Sequence, residues 1–319
     1  MNSVTSAIGA PISTRRAPDT FAIALMVLLC AIWGLQQVAI KTTNPALGPM
    51  LQAGLRSTIA TLLVWGWARA RGTPLFERDG TFGPGLLAGV LFAAEFICIF
   101  AGLTLTSASR MAVFLYTAPC FTALGLHAFV PGERMRRLQW CGVLVAFVGM
   151  ALAFADGFLR APAPGASAFT GMLGDALGVL GGAAWAATTV VVRATSLSHA
   201  SASKTLFYQL AVSAIVLLAL AFMLGEPHRV HVTPLAVASL TYQAVAVAFI
   251  SYLTWFWLLT RYMASRLSVF SFLTPLFGVG FGVALLGESF STRFVFASAL
   301  VLAGIVLVNA PARRTATNG

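Results

Sequence analysis

The sequence predicts an all-α membrane protein with ten transmembrane helices in two inverted five-helix repeats. Three observations carry that reading. First, of 319 residues 59% are hydrophobic and only 9% are Asp, Glu, Lys or Arg, with a mean hydropathy of +0.88. Soluble domains carry about 25% charged residues, so a water-facing surface of this size could not be covered. Second, apolar runs of about 20 residues, the length that crosses a hydrocarbon core of ~30 Å, recur along the whole chain. Third, the second half repeats the motifs of the first in the same order. The composition excludes a soluble enzyme, a nucleic-acid module and a disordered tail.

Taken in order, residues 1–20 form a polar tail and 21–156 the first repeat, followed by a Pro/Ala/Gly-rich linker at 157–170, the second repeat at 171–309 and a tail at 310–319. The first repeat has apolar runs at 21–40, 47–68, 82–105, 108–130 and 138–155. The second has runs at 171–192, 205–224, 234–260, 265–286 and 294–309. The first run has no small-residue cleavage site behind it and reads as a retained span. Connections as short as Thr106–Ser107 force neighbouring spans to be antiparallel hairpins.

The net charge of +11 comes from 20 Lys and Arg against 9 Asp and Glu. Fourteen of the basic residues fall at one set of span ends, among them Arg15, Arg16, Arg193 and Arg266, and five at the other, including Lys41 and Arg110. Cations collect on the cytoplasmic side, which predicts that both termini are cytoplasmic. The excess is therefore topological and implies no nucleic-acid partner. The four cysteines, Cys30, Cys98, Cys120 and Cys141, lie singly inside apolar runs and read as small hydrophobes.

The repeat is read from three blocks. Residues 108–119, Ala-Ser-Arg-Met-Ala-Val-Phe-Leu-Tyr-Thr-Ala-Pro, match 264–275, Ala-Ser-Arg-Leu-Ser-Val-Phe-Ser-Phe-Leu-Thr-Pro. Gly132-Glu133 and Gly149 match Gly287-Glu288 and Gly304, and Trp33 through Lys41 match Trp185 through Arg193. Five spans per copy is an odd number, so the second copy inserts upside down. Inverted halves are a hallmark of secondary transporters, because two near-equal halves can exchange conformations.

These residues resemble the drug/metabolite transporter superfamily, and more closely its ten-span EamA family. The match rests on Trp33 and Trp185, the Ser-Arg blocks, Pro119 and Pro275, and the Gly-Glu pairs, and spans about 21–309. The resemblance implies ten helices with inverted halves around a central cavity, and the expected location is a bacterial inner (cell) membrane. It also implies export or exchange of small metabolites, such as amino acids or related amphipathic compounds, or of drugs, by alternating access. Proton coupling is the first expectation, with a passive facilitator or importer of an amino acid or vitamin as the alternative.

Ionisable groups deep in lipid cost roughly 2.5–3.5 kcal/mol on insertion scales and mark functional sites. Two stand clearly inside spans. Arg56 lies about 13 Å below the outer end of its run, and Glu95 about 20 Å above the inner end of its own, so both sit at similar depth. In one reading Glu95 is the proton-coupling group or grips a substrate ammonium while Arg56 binds a substrate carboxylate. In the other the two form a structural ion pair. Ser251 is the counterpart of Glu95 in the second repeat, making the site asymmetric.

Further substrate-binding candidates are Trp33 and Gln37, which share a helix face, with Tyr116, Trp185, Gln209, Tyr242 and Tyr252. Pro119 and Pro275 each remove a helical hydrogen bond at mid-span and are the hinge candidates. Glycines at 174, 178 and 182, and at 278 and 282, have the spacing of helix-packing seams. The Gly-Glu pairs read as turns. The four histidines, His127, His199, His228 and His231, are scattered, and no Walker sequence is present. The sequence thus calls for no catalytic residue, metal or cofactor; its partners are the bilayer, a small molecule and candidate protons, with the oligomeric state open.

Overall fold

A computed structural model describes residues 15–155, 168–286 and 292–310. The first half holds α1 (Thr20–Thr43), α2 (Pro49–Ala70), α3 (Phe82–Leu103), α4 (Ala108–Leu115), α5 (Ala118–Phe129) and α6 (Arg137–Ala153). The second holds α7 (Ala168–Ala194), α8 (Ala202–Met223), α9 (Pro234–Tyr242), α10 (Tyr252–Arg261), α11 (Ala264–Leu267), α12 (Leu273–Leu286) and α13 (Thr292–Asn309). A nine-residue π-helix, Gln243–Ser251, joins α9 to α10, and a five-residue 3-10 stretch, Ser268–Phe272, joins α11 to α12.

Among the described residues, eight helical stretches are long and apolar enough to cross a membrane. Two runs expected to span fall outside that group. Arg137–Ala153 is apolar but only 17 residues long, and Pro49–Ala70 carries Arg56 in its middle. The second Gly-Glu pair and most of the linker lie outside the described residues.

Helix starts are capped by recognisable groups. Asp19 accepts the Ala22 N–H at 2.9 Å to open α1, and Ser107 accepts from Arg110 N to open α4. Gly48 has no side chain to cap α2, and Glu226 from the far half does the work, accepting from Leu51 N at 2.7 Å. A Cβ at Gly48 would lie 2.4 Å from the Glu226 carboxyl carbon, so glycine is what admits the carboxylate.

The expected prolines sit at helix starts rather than inside continuous helices. The fourth run is broken at Tyr116–Thr117, and Pro119 occupies the opening turn of α5, where its missing N–H leaves no bond unmade. Pro275 lies in the first turn of α12, directly after the 3-10 stretch.

Helices pair across the halves. The main contacts are α2 with α8, α6 with α13, α1 with α12, α5 with α7, and α3 with both α7 and α8. Small residues set the approach. A Cβ at Gly304 would stand 2.5 Å from both Ala146 N and Gly142 O, so α6 and α13 touch backbone to backbone. The glycine spacing on α7 behaves as expected: Gly174 packs on Thr106, Gly178 on Phe114 and Gly182 on the Leu115 carbonyl. Outside the core, Leu62, Ile215, Phe222, Phe296 and Val306 face outward, an apolar surface that only lipid accommodates.

At the end of the bundle where Arg15 and Arg193 lie, several charged groups find partners. Glu133 is buried and accepts from Arg193 Nη2 at 2.6 Å, Ala264 N at 2.9 Å and Ser265 Oγ at 2.7 Å. It is a cap for α11 as well as a turn residue. Lys204 reaches Asp79 at 2.8 Å, and Arg15 donates to the Ser198 carbonyl at 2.7 Å. Elsewhere Arg110 pairs with Asp175.

Candidate functional site

A cavity of about 190 Å³ lies among α1, α3, α5, α7 and α10, with the 3-10 stretch along one side. Trp33 and Gln37, four residues apart on α1, form part of one wall. Their presentation is fixed by Trp33 Nε1, which donates to Ser251 Oγ at 2.8 Å on the π-helix. That Ser251 Oγ in turn donates to the Val247 carbonyl at 2.6 Å. Trp33 meets Trp255 edge-on at 6.0 Å and Tyr252 at 6.4 Å. Across the cavity Tyr116 packs against Trp185 at 5.8 Å. Gln209 contributes an amide whose Oε1 is buried without a hydrogen-bond partner.

Helix α3 supplies the site's charge. Phe92, Phe96 and Phe100 recur every four residues and form one aromatic stripe, with Phe92 and Phe96 5.0 Å apart. Glu95 lies on the same stripe and lines the cavity at 8% exposure. Its carboxylate has no hydrogen-bond or ion-pair partner within the described residues. Tyr252 closes on Phe92 at 5.9 Å, tying α10 to this wall.

Of the residues singled out from sequence, the cavity brings together Trp33, Gln37, Glu95, Tyr116, Trp185, Gln209 and Tyr252, with Pro119 at its edge. Three are placed elsewhere. Arg56 does not line the cavity: its Cζ stacks 4.4 Å from the centre of the Phe96 ring, on α2, and the side chain is 1% exposed. Its Nε and Nη2 have no hydrogen-bond partner, and no ion pair within 4.0 Å joins it to Glu95. Arg56 thus neither borders the cavity nor contacts Glu95, although its charge acts on that carboxylate from behind the Phe96 ring. A similar count of residues from the span ends does not bring two groups together. The rotation of α2 is set by its packing on α8 and the π-helix, which aims Arg56 at the back of Phe96.

Tyr242 is also displaced. Its hydroxyl donates to the Ile32 carbonyl at 2.8 Å, a strut between α9 and α1 rather than a cavity wall. Pro275 is buried in the bundle and does not border the cavity. Sequence reasoning missed Phe92, Phe96 and Phe100, although their four-residue period around Glu95 is visible in the chain. It also missed Glu133, whose signal was the recurrence of Gly-Glu in both copies.

The family model described as the EamA-like transporter family matches residues 20–155 and again 172–310, the two halves in turn. The chain belongs to the EamA-like transporter family. It is a multi-pass membrane transporter, not an enzyme. It is 28% identical over 291 residues to an uncharacterized transporter of Archaeoglobus fulgidus, covering 90% of this chain and 96% of that one. It is 26% identical to a protein of Salmonella typhimurium named "Probable amino-acid metabolite efflux pump", covering 89% and 93%. A crystal structure that is 20% identical superposes with a TM-score of 0.77 over 92% of this EamA-like chain and 99% of that one, a likeness of fold.

Proposed function

We propose that this EamA-like chain is a secondary transporter that exports or exchanges a small amphipathic metabolite by alternating access, with Glu95 as the proton-coupling group. The observation that carries the proposal is the carboxylate itself: among the described residues it faces the cavity with no hydrogen bond or ion pair within 4.0 Å. A lone carboxylate in such a place is costly to keep ionised, so it is satisfied by a proton or by a cationic ligand. Competition between those two for one group would couple their movements. Trp33, Gln37, Tyr116, Trp185, Gln209 and Tyr252 would bind the rest of the ligand. Arg56 would act from behind Phe96 as a fixed positive potential rather than as a contact.

The architecture that goes with this reading has ten spans in two inverted five-helix halves, with both termini cytoplasmic in a bacterial inner membrane. Its support is the pairing of equivalent helices, α2 with α8 and α6 with α13, and of α1 with α12 as α7 with α5. The breaks before Pro119 and Pro275 would be the hinges. Export of amino-acid metabolites, suggested by the names of relatives, supplies the substrate range.

Flux in proteoliposomes, with and without a pH gradient, tests the coupling. Gradient-driven accumulation in the wild type and its loss in Glu95→Gln, with unchanged membrane insertion, is the expected result. Equilibrative flux indifferent to the gradient would instead make the protein a passive facilitator.

A further inference from the structure

We infer that the ligand held in this cavity is an organic amine bound as its monocation, with an aromatic or aliphatic body and without a free carboxylate. This deepens the transport reading and rests on it only for what becomes of the ligand after binding.

Three features of the cavity lead to this class. Glu95 is its one charged lining residue among those described, buried and with no hydrogen bond or ion pair within 4.0 Å, the Arg56 charge reaching it only from behind the Phe96 ring, so a cation on the cavity side would complete the site. The walls around it are aromatic faces and edges: Trp33, Phe92, Tyr252 and Trp255 on one side, Tyr116 and Trp185 on the other. Rings of this kind attract an alkylammonium through their quadrupoles and cover its apolar body. No Lys, Arg or His lines the cavity among the described residues. A ligand carboxylate would therefore be stripped of water beside Glu95 with no cation to meet it. Arg56 is the one buried guanidinium at hand, and the Phe96 ring lies against it and also forms cavity wall. A carboxylate could reach it only by displacing that ring. The uncharged amides of Gln36 and Gln37 and the Thr189 hydroxyl suit hydroxyl or amide groups instead.

The test uses ligands that differ by one group. Phenethylamine, phenylalanine and 3-phenylpropionate share a ring and chain length and present a cation, a zwitterion and an anion. Their dissociation constants are measured on the purified full-length protein by thermal shift and tryptophan fluorescence, and the same compounds are followed as flux in proteoliposomes. Phenethylamine is expected to bind at least about tenfold more tightly than phenylalanine, with no binding of 3-phenylpropionate. Glu95→Gln is expected to remove that preference. Equal or tighter binding of phenylalanine overturns the inference, and its dependence on Arg56 would show that Phe96 swings aside. Amine binding that survives Glu95→Gln unchanged also overturns it. Should Glu95→Gln not fold, Trp255→Leu serves, with an expected loss of amine affinity of about threefold or more. Amine binding without flux would leave the ligand class standing and sink the transport reading; preferential flux of phenylalanine would do the reverse.

Discussion

Glu133 gathers donors from two separate segments: both Nε and Nη2 of Arg193, and the backbone N–H groups of Ala264 and Ser265 with the Ser265 hydroxyl. The side chains of Glu133 and Arg193 are 1% and 3% exposed, so neither has water to fall back on. Glu133→Gln should cost about 3–5 kcal/mol, because it leaves a buried guanidinium uncompensated, and replacing both residues by neutral ones should cost less than the sum. A double-mutant cycle on detergent thermal stability measures this; additive single effects would mean that the pair is not coupled. At the loop before α3, the Lys204 ammonium is the main cause, with the Thr81 hydroxyl, that pulls the Asp79 carboxyl down to about 2. A depressed carboxylate stabilises the fold at every pH above its unfolded value of about 3.9 and loses that contribution as pH falls toward about 2. Pepsin cleavage within residues 72–81 should accordingly appear only below about pH 4 in the wild type. Cleavage at pH 5 as readily as at pH 3 would show that the tie to Lys204 does not order this loop.

Helices were the most legible elements, because lipid leaves the backbone no other way to satisfy its hydrogen bonds. The runs expected at 171–192, 205–224 and 294–309 appear as Ala168–Ala194, Ala202–Met223 and Thr292–Asn309. Their interruptions were harder to read. The break at Tyr116–Thr117, the 3-10 stretch before α12 and the π-helix Gln243–Ser251 sit in sequence as apolar as their surroundings. They depend on what lies alongside: Glu133 starting α11, or Ser251 bonded to Trp33. The site was partly legible for a related reason. A charge inside an apolar run is visible in the chain, so Glu95 could be singled out, but rotation about the helix axis is set by neighbours, and that turns Arg56 away from the cavity. Close helix contacts yield a prediction at this scale. Gly304→Val should separate α13 from α6 and lower stability by about 1–3 kcal/mol, since its Cβ would meet backbone rather than a yielding side chain. Wild-type thermal stability for that variant would refute the packing argument.

Across the whole molecule, the seam between α6 and α13 differs from the cavity walls in one respect. The walls are large rings with edges and faces that can slide or swing, whereas at the seam Gly142, Ala146, Gly149 and Gly304 bring two main chains into direct contact. In lipid, such a contact is held by dispersion and close backbone packing, and acyl chains could not fill the narrow gap that parting it would leave. If the cavity opens alternately to either side, as proposed, somewhere must not open, and this seam of main chain on main chain is suited to that part. It should serve as the axle of the motion. Paired spin labels on the lipid-facing sides of α6 and α13 should report one unchanging distance as ligand and pH are varied. Labels bridging α1 and α7 should report two.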